Sequence, residues 1–303
     1  MLSRRDFLSL AALSTAWSAA PLRAQERFSL FVGSNPESVT RMIELAALRD
    51  GETVIDLGSG DGRIVFAAAQ ARPNLRGMGV DINEELVTKA NEAARAQGLA
   101  SRVQFFHRNA FDADISNVDV IFMWLFPELM RLLRPKILAE AKPGTRIVAA
   151  TWDMGSWPAD ASDDRGGGVQ AIRRWIVPAR IDGGWEWQIA LRGRTHRFGA
   201  LIEQRMQQVE GAVRVANRRE VMQYMILRGD TVQFSLRMSL PETGFANLVH
   251  VGRVQGDTIE GSIAAELPKL GEDAEGMDEF HLPWKARRTA DHGFFAPTGT
   301  SLR

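Results

Sequence analysis

Between Thr53 and Ala71 the chain passes from a β-prone apolar run, through a glycine-punctuated turn, into an alanine-rich helical run. Val54, Ile55, Asp56 and Leu57 lead into Gly58, Gly60 and Gly62 at alternate positions, with Ser59 and Asp61 between them. A short apolar run bounded by turn residues predicts a buried parallel strand, and residues 64–71 predict a helix. Glycine serves where the backbone takes positive φ or passes close to a ligand. The first amides of the following helix have no intrahelical acceptor and point at that ligand. A strand, a binding turn and a helix in this order place the stretch in an open α/β sheet.

The spacing narrows the ligand. A dinucleotide fingerprint G-x-G-x-x-G needs glycine at position 63, which is Arg63. With no recognisable proton donor either, an NAD oxidoreductase is disfavoured. A second acid, Asp81, ends the next apolar strand, about 20 residues beyond Gly60, the offset expected of an acid that holds ribose hydroxyls. Without a phosphate in the ligand, the turn can carry an acid such as Asp61.

Residues 53–63, followed by Gly79-Val80-Asp81, resemble motif I and its partner in class I S-adenosylmethionine-dependent methyltransferases. The resemblance implies a Rossmann-like α/β fold with a mostly parallel sheet of the seven-stranded type. It implies S-adenosyl-L-methionine as cofactor, held by Asp56, Gly58, Ser59, Gly60, Asp61, Gly62, Asp81, Ile82, Asn109, Ala110 and Phe111. Asp81 would hold the ribose, and the Gly58–Gly62 turn would pass close to the amino-acid part. Asp56 would anchor the turn and, directly or through water, the methionine ammonium. Asn109, with Ile82 or Phe111, would frame the adenine. Many such enzymes have an acid at the position of Asn109; the amide oxygen can accept from the adenine amine, without charge.

A wider stretch, residues 54–157, resembles bacterial relatives of the ATP synthase subunit c lysine methyltransferases. The resemblance rests on Asp56 to Val65, Phe126-Pro127-Glu128-Leu129, Leu133 to Leu138, Lys142 to Val148 and Asp153-Met154-Gly155-Ser156-Trp157. It covers about half the chain. It implies a protein lysine or a small molecule as methyl acceptor. Val118 to Trp124 reads as a strand buried on both faces. Ligands of open parallel sheets sit at the carboxyl ends of strands, so the acceptor is expected against Trp124 to Pro127. Trp124 and Pro127 are the catalytic candidates. The asparagine or aspartate of N-P-P-Y amino methyltransferases is absent, and no general base is evident. Trp124 and Phe126 can form an aromatic slot for an ammonium; the alternative places both in the core, and is favoured for Phe126.

Helices are expected after Pro36, from Asn83 to Gln97 and from Glu128 to Ala141, the last with a kink at Pro135. Residues 158–169 read as a solvated connector, or else a lid. Two strands, Val169 to Ile181 and Trp185 to Leu191, either complete the sheet or open a second domain. Beyond them turn signals recur with little helix. Gly229-Asp230-Thr231-Val232 and Gly256-Asp257-Thr258-Ile259 repeat one hairpin unit. This predicts an antiparallel β-meander, a small barrel or half-barrel, with residues 280–288 as its last strand.

Ser3-Arg4-Arg5-Asp6-Phe7-Leu8 resembles the twin-arginine export signal, and a moderately apolar stretch follows to Ala20. That stretch is shorter than the ~20 apolar residues of a membrane span. The expected organisation is a signal segment over 1–24, a methyltransferase domain over 25–181 and a β-rich accessory domain over 182–303. The expected location is periplasmic or exported, and cytoplasmic or membrane-anchored if the signal is not processed. The chain has no cysteine, and its five histidines show no metal-ligand spacing. Its formal net charge is zero, with nothing that points to nucleic acid. Two functions remain open: an active methyltransferase whose β-domain helps recognise the acceptor, and an exported non-catalytic binding protein whose β-domain contacts a ligand or envelope partner.

Overall fold

A computed structural model describes residues 35–165, 171–271 and 275–290. The expected signal segment lies outside the described residues. Seven strands form a first sheet: β1 (Thr53–Leu57), β2 (Arg76–Asp81), β3 (Val103–His107), β4 (Val120–Met123), β5 (Arg146–Ala150), β6 (Ala161–Asp163) and β7 (Ile172–Ile176). Their order is β3-β2-β1-β4-β5-β7-β6. β1 to β5 pair in parallel, while β7 runs antiparallel to both β5 and β6, so the sheet is mixed.

Among the described residues, four helices flank this sheet: α1 (Pro36–Ala46), α2 (Arg63–Ala71), α3 (Glu84–Ala96) and α4 (Pro127–Glu140). Each start has a local cause. Pro36 is preorganised for the first turn of α1, and Asn35 caps it by accepting from Ser38 N–H at 2.7 Å. Asn83 caps α3 through Glu85 and Leu86. α1 ends where Ala47 turns left-handed at φ 49°. β3 is an edge strand. Asn91 of α3 covers it, accepting from Phe105 N–H at 3.1 Å and donating to Phe105 C=O at 2.8 Å.

The polar stretch read as a connector contributes β6. Its composition hid a strand held by charge: buried Arg41 of α1 donates from Nε and Nη2 to the carboxylate of Asp163, each at 3.1 Å. The two strands expected between 169 and 191 part company. The strand within 169–181 pairs with β5 and β6, whereas that within 185–191 belongs to a second sheet.

The second sheet has nine antiparallel strands: β8 (Gly183–Leu191), β9 (Arg194–Arg205), β10 (Gln208–Val215), β11 (Arg218–Val221), β12 (Gln223–Arg228), β13 (Thr231–Leu240), β14 (Gly244–Gln255), β15 (Thr258–Pro268) and β16 (Met277–Thr289). The order β11-β10-β9-β8-β16-β15-β14-β13-β12 is two meanders joined where β16 meets β8. The sheet curls until it nearly closes. Met222, between β11 and β12, donates its N–H to Gly211 C=O at 2.9 Å, and Arg218 reaches Ser239 C=O at 3.1 Å. Inward and outward residues alternate cleanly, as along β13. The repeated units are two-residue hairpins with Gly229 and Gly256 at positive φ in the first central position.

Large aromatics fill the barrel. Trp187 stacks on Phe198 at 5.1 Å, and Phe234 stacks on His250 at 4.4 Å. Trp284 lies edge-on to His250 at 5.0 Å, over Gly252, where a Cβ would come within 2.9 Å of its ring. His250 is fully buried, and neither ring nitrogen has a hydrogen-bond partner. Burial pushes its pKa down to about 3, and the nearby Leu248 carbonyl offsets this only in part. His250 is neutral at physiological pH.

Both sheets belong to one compact unit. Their contacts fall at one end. Ala179 N–H donates to Gly229 C=O at 2.8 Å, and Gly229 also lies against Gly144, where a Cβ on Gly229 would come within 3.1 Å of Gly144 Cα; Gly144 N–H in turn donates to Val177 C=O at 2.8 Å. Gln207 Nε2 donates to Pro158 C=O at 2.7 Å. Gly144 precedes β5 and Val177 follows the antiparallel β7. The barrel therefore docks at the amino-terminal ends of the parallel strands, away from the carboxyl ends where ligands sit. That placement runs against a barrel that helps line the acceptor site.

Candidate cofactor and acceptor site

The carboxyl ends of β1 and β2 meet at the glycine turn. Gly58 and Ser59 both donate to Val80 C=O, at 2.8 and 3.0 Å, which folds the turn over β2. Gly58 has φ 84°, and a Cβ there would come within 2.5 Å of Leu125 Cδ2. Phe105 forms the wall beneath the turn and stands where a Cβ on Gly62 would go. Gly62 precedes α2, whose first amide, Arg63 N–H, donates to Asp61 Oδ1 at 3.3 Å.

Asp81, at the end of β2, is partly buried. Its Oδ2 accepts from Gly60 N–H at 2.8 Å and its Oδ1 from Asn83 N–H at 2.8 Å. Each oxygen keeps a lone pair, so the carboxylate is held in place with two acceptor sites left for vicinal hydroxyls. Asp61 is half-exposed and paired with Arg63, which holds its carboxyl below the usual range.

Asp56 and Ser59 are buried, and Asp56 Oδ1 and Ser59 Oγ have no hydrogen-bond partner. An unsatisfied buried polar atom costs about 1–3 kcal/mol. Burial first, then the charges of Asp81 and Asp61, push the Asp56 carboxyl up to about 8. Such a group attracts a cation or hydrogen-bond donor.

The adenine-side residues are placed at the ends of β2 and β3. Ile82 and Phe111 are exposed at 36% and 37%, large apolar side chains open to a planar ligand. Ala110 and Phe111 lie in a short 3-10 turn, Ala110–Asp112, which Asn109 caps by accepting from Phe111 N–H at 3.0 Å. The Asn109 oxygen already takes a backbone donor, so its capacity toward an adenine amine is reduced to a second lone pair.

The expected aromatic slot divides. Trp124 is half-buried and packs on the core between the sheet and α1. Phe126 is 40% exposed, where a core position had been favoured; it caps α4, and Pro127 takes the first helical position. Sequence reading missed Trp152, which is 42% exposed just past β5. It follows Thr151, whose φ of 71° is an outlier for a β-branched residue. Such strain costs of order 1–3 kcal/mol and persists only where the surroundings impose it. The only sequence signal was an aromatic residue at a strand exit.

A glycine turn with unpartnered buried acceptors, beside a positioned acid at the next strand end, in a sheet of order β3-β2-β1-β4-β5-β7-β6, defines a class I methyltransferase. Residues 56–161 match the ANTKMT methyltransferase domain. A protein-lysine N-methyltransferase of Saccharolobus islandicus is 35% identical over 127 residues, 42% of this chain and 79% of that protein. The mouse adenine nucleotide translocase lysine N-methyltransferase is 31% identical over 48% of this chain and 61% of its own length. The match thus spans about three fifths of the mouse relative. A solved RNA methyltransferase from Salinibacter ruber, in complex with S-adenosyl-L-homocysteine, is 39% identical; the match covers 50% of this chain and 96% of that one, with a TM-score of 0.47. The chain belongs to the family of class I S-adenosylmethionine-dependent methyltransferases that the archaeal relative represents. S-adenosyl-L-methionine is its cofactor, and the residues present fit that group: Asp56 for an ammonium, Asp81 for ribose hydroxyls, Ile82 and Phe111 for a purine.

Proposed function

We propose that this protein is an S-adenosylmethionine-dependent N-methyltransferase whose acceptor is a lysine side chain of a protein. The cofactor half rests on the unpartnered Asp56 Oδ1 and Ser59 Oγ beside a preset Asp81. The lysine half rests on the names of the archaeal and mouse relatives.

S-adenosylmethionine, when bound, supplies a methyl group activated on a sulfonium, and transfer is an in-line displacement by an amine lone pair. The protein's part is mainly position and dryness. Asp81 orients the ribose, Asp56 and Ser59 hold the amino-acid end, and Ile82 with Phe111 exclude water from the purine faces. The acceptor amine is neutral when it attacks, and its proton leaves to solvent before the step.

The export reading of residues 1–24 belongs to the same proposal: the folded domain would travel by the twin-arginine route with its site formed. Titration with S-adenosylmethionine and S-adenosylhomocysteine by calorimetry tests the cofactor half. Micromolar binding that Asp81→Ala abolishes supports it; a folded wild-type chain that binds neither overturns it.

A further inference from the structure

β4 and β5 are neighbours in register, Met123 opposite Ala149. Their exits therefore leave the sheet side by side. Trp124, Leu125 and Phe126 follow β4; Thr151 and Trp152 follow β5. Two of these five are largely open: Phe126 and Trp152, at 40% and 42% exposure. Trp124 packs on the α1 core and Leu125 is buried on the opposite face of the sheet.

Neither open aromatic sits on slack chain. Phe126 is fixed as the residue before Pro127, at the cap of α4. The segment after β5 is tied at every turn. Thr151 N–H donates to Ala171 C=O at 2.8 Å, and Trp152 N–H to Ala150 C=O at 2.8 Å. Arg173 Nη1 donates to Thr151 C=O at 3.2 Å, Arg134 Nη1 to Met154 C=O at 2.8 Å, and Gly155 N–H to Asp153 Oδ1 at 2.8 Å. Met154 and Trp157 are buried. Within 151–157 the chain is anchored on both sides of Trp152, and the left-handed Thr151 turns that one indole out. A strained, over-tied backbone that presents an aromatic to solvent at a sheet's ligand end is the pattern of a binding residue.

We infer that Trp152 and Phe126 together form the acceptor jaw, with Trp152 as a specificity-determining residue that selects an aliphatic ammonium or methylammonium. The inference rests on the methyltransferase reading above and adds the acceptor side to it. Two aromatic faces favour a cation on an apolar stem over a neutral polar group. Asp153, the next residue in the chain, is exposed and adds charge of the right sign to the segment. Trp124 plays no direct part.

The test uses two probes that share the adenosyl and amino-acid parts of S-adenosylhomocysteine. In both, nitrogen replaces the sulfur; one carries an aminobutyl arm, the other an uncharged amidobutyl arm. Affinities are measured by calorimetry on the full chain. We expect the aminobutyl probe to bind about tenfold more tightly than the amide probe. Trp152→Ala and Phe126→Ala should each remove most of that ratio while leaving S-adenosylhomocysteine affinity unchanged. Trp152→Phe should keep most of it, and Trp124→Ala should leave it intact. A ratio near one in the wild-type chain, or a ratio that survives Trp152→Ala, overturns the jaw while the cofactor site stands. Absence of any S-adenosylhomocysteine binding instead overturns the methyltransferase reading itself.

Discussion

Gly60 donates its backbone N–H to Oδ2 of Asp81 across 2.8 Å, while Asn83 N–H takes the other oxygen. One carboxylate thus ties the glycine turn of β1 to the start of α3 and keeps a lone pair on each oxygen. Asp81→Ala should lose cofactor binding at least tenfold and also leave two N–H groups unpartnered, at about 1–3 kcal/mol each where water cannot reach them. Asp81→Asn keeps one backbone acceptor, so it should fold better and still bind weakly. Calorimetry beside thermal unfolding separates the two effects.

Asp56 makes cofactor binding depend on pH. Its carboxyl is raised to about 8 in the free protein, so at pH 7 it is mostly protonated. An ammonium favours the ionised form. Affinity should therefore climb as pH rises from 6 to about 8 and then level, with proton uptake by buffer on binding near pH 7. Asp56→Asn should flatten the profile. Calorimetry in two buffers of different ionisation heat reads the released proton directly; equal apparent heats would remove the prediction.

The same raised carboxyl has the opposite sign for stability. Between about pH 4 and 8 the folded chain holds a proton on Asp56 that the unfolded chain releases, so this residue's contribution falls as pH rises. Without cofactor, Asp56→Asn should be more stable than wild type at pH 8, and the gain should shrink towards pH 4. Urea melts at the two pH values check it.

His250 sets the acid limit of the barrel. Its folded pKa of about 3 lies below the ordinary histidine value of about 6.5, so below pH 6.5 the unfolded chain takes up a proton that the folded chain refuses. Its contribution is constant above pH 6.5 and falls as pH drops towards 3. His250→Leu, which also removes two unpartnered nitrogens, should lose that acid dependence. A melting profile unchanged between pH 6.5 and 4 would show that the ring is not neutral in the barrel.

Gly229 carries the docking of the barrel. Its φ is 59°, and a Cβ would meet Gly144 Cα at 3.1 Å. Gly229→Val should cost on the order of 1–3 kcal/mol through strain. Because the junction lies at the amino-terminal ends of the parallel strands, cofactor affinity should not change. A parallel loss of S-adenosylhomocysteine binding would mean that the barrel supports the site after all.

What could be read along the chain was whatever is local. A glycine that must take positive φ, a proline at a helix start, an asparagine cap and an acid at a strand end act within a few residues. Asp56, Gly58 to Gly62, Asp81 and the bounds of α2 and α3 were therefore legible in order. Period-two alternation likewise marked the strands of the barrel. Pairing is not local. β6 was hidden in a polar run because Arg41, more than a hundred residues earlier, supplies the charge that holds it. Phe126 and Trp124 look alike in sequence; only the packing of α1 decides that one is covered and the other open. Trp152 gained meaning from a strained Thr151, and that strain exists only because Ala171 and Arg173 grip the backbone. The sequence by itself determined the cofactor cradle, since backbone conformation and short spacing specify it. The tertiary structure alone decided which end of the sheet the barrel takes and which aromatics stay open where β4 and β5 end, since both depend on contacts between residues far apart in the chain.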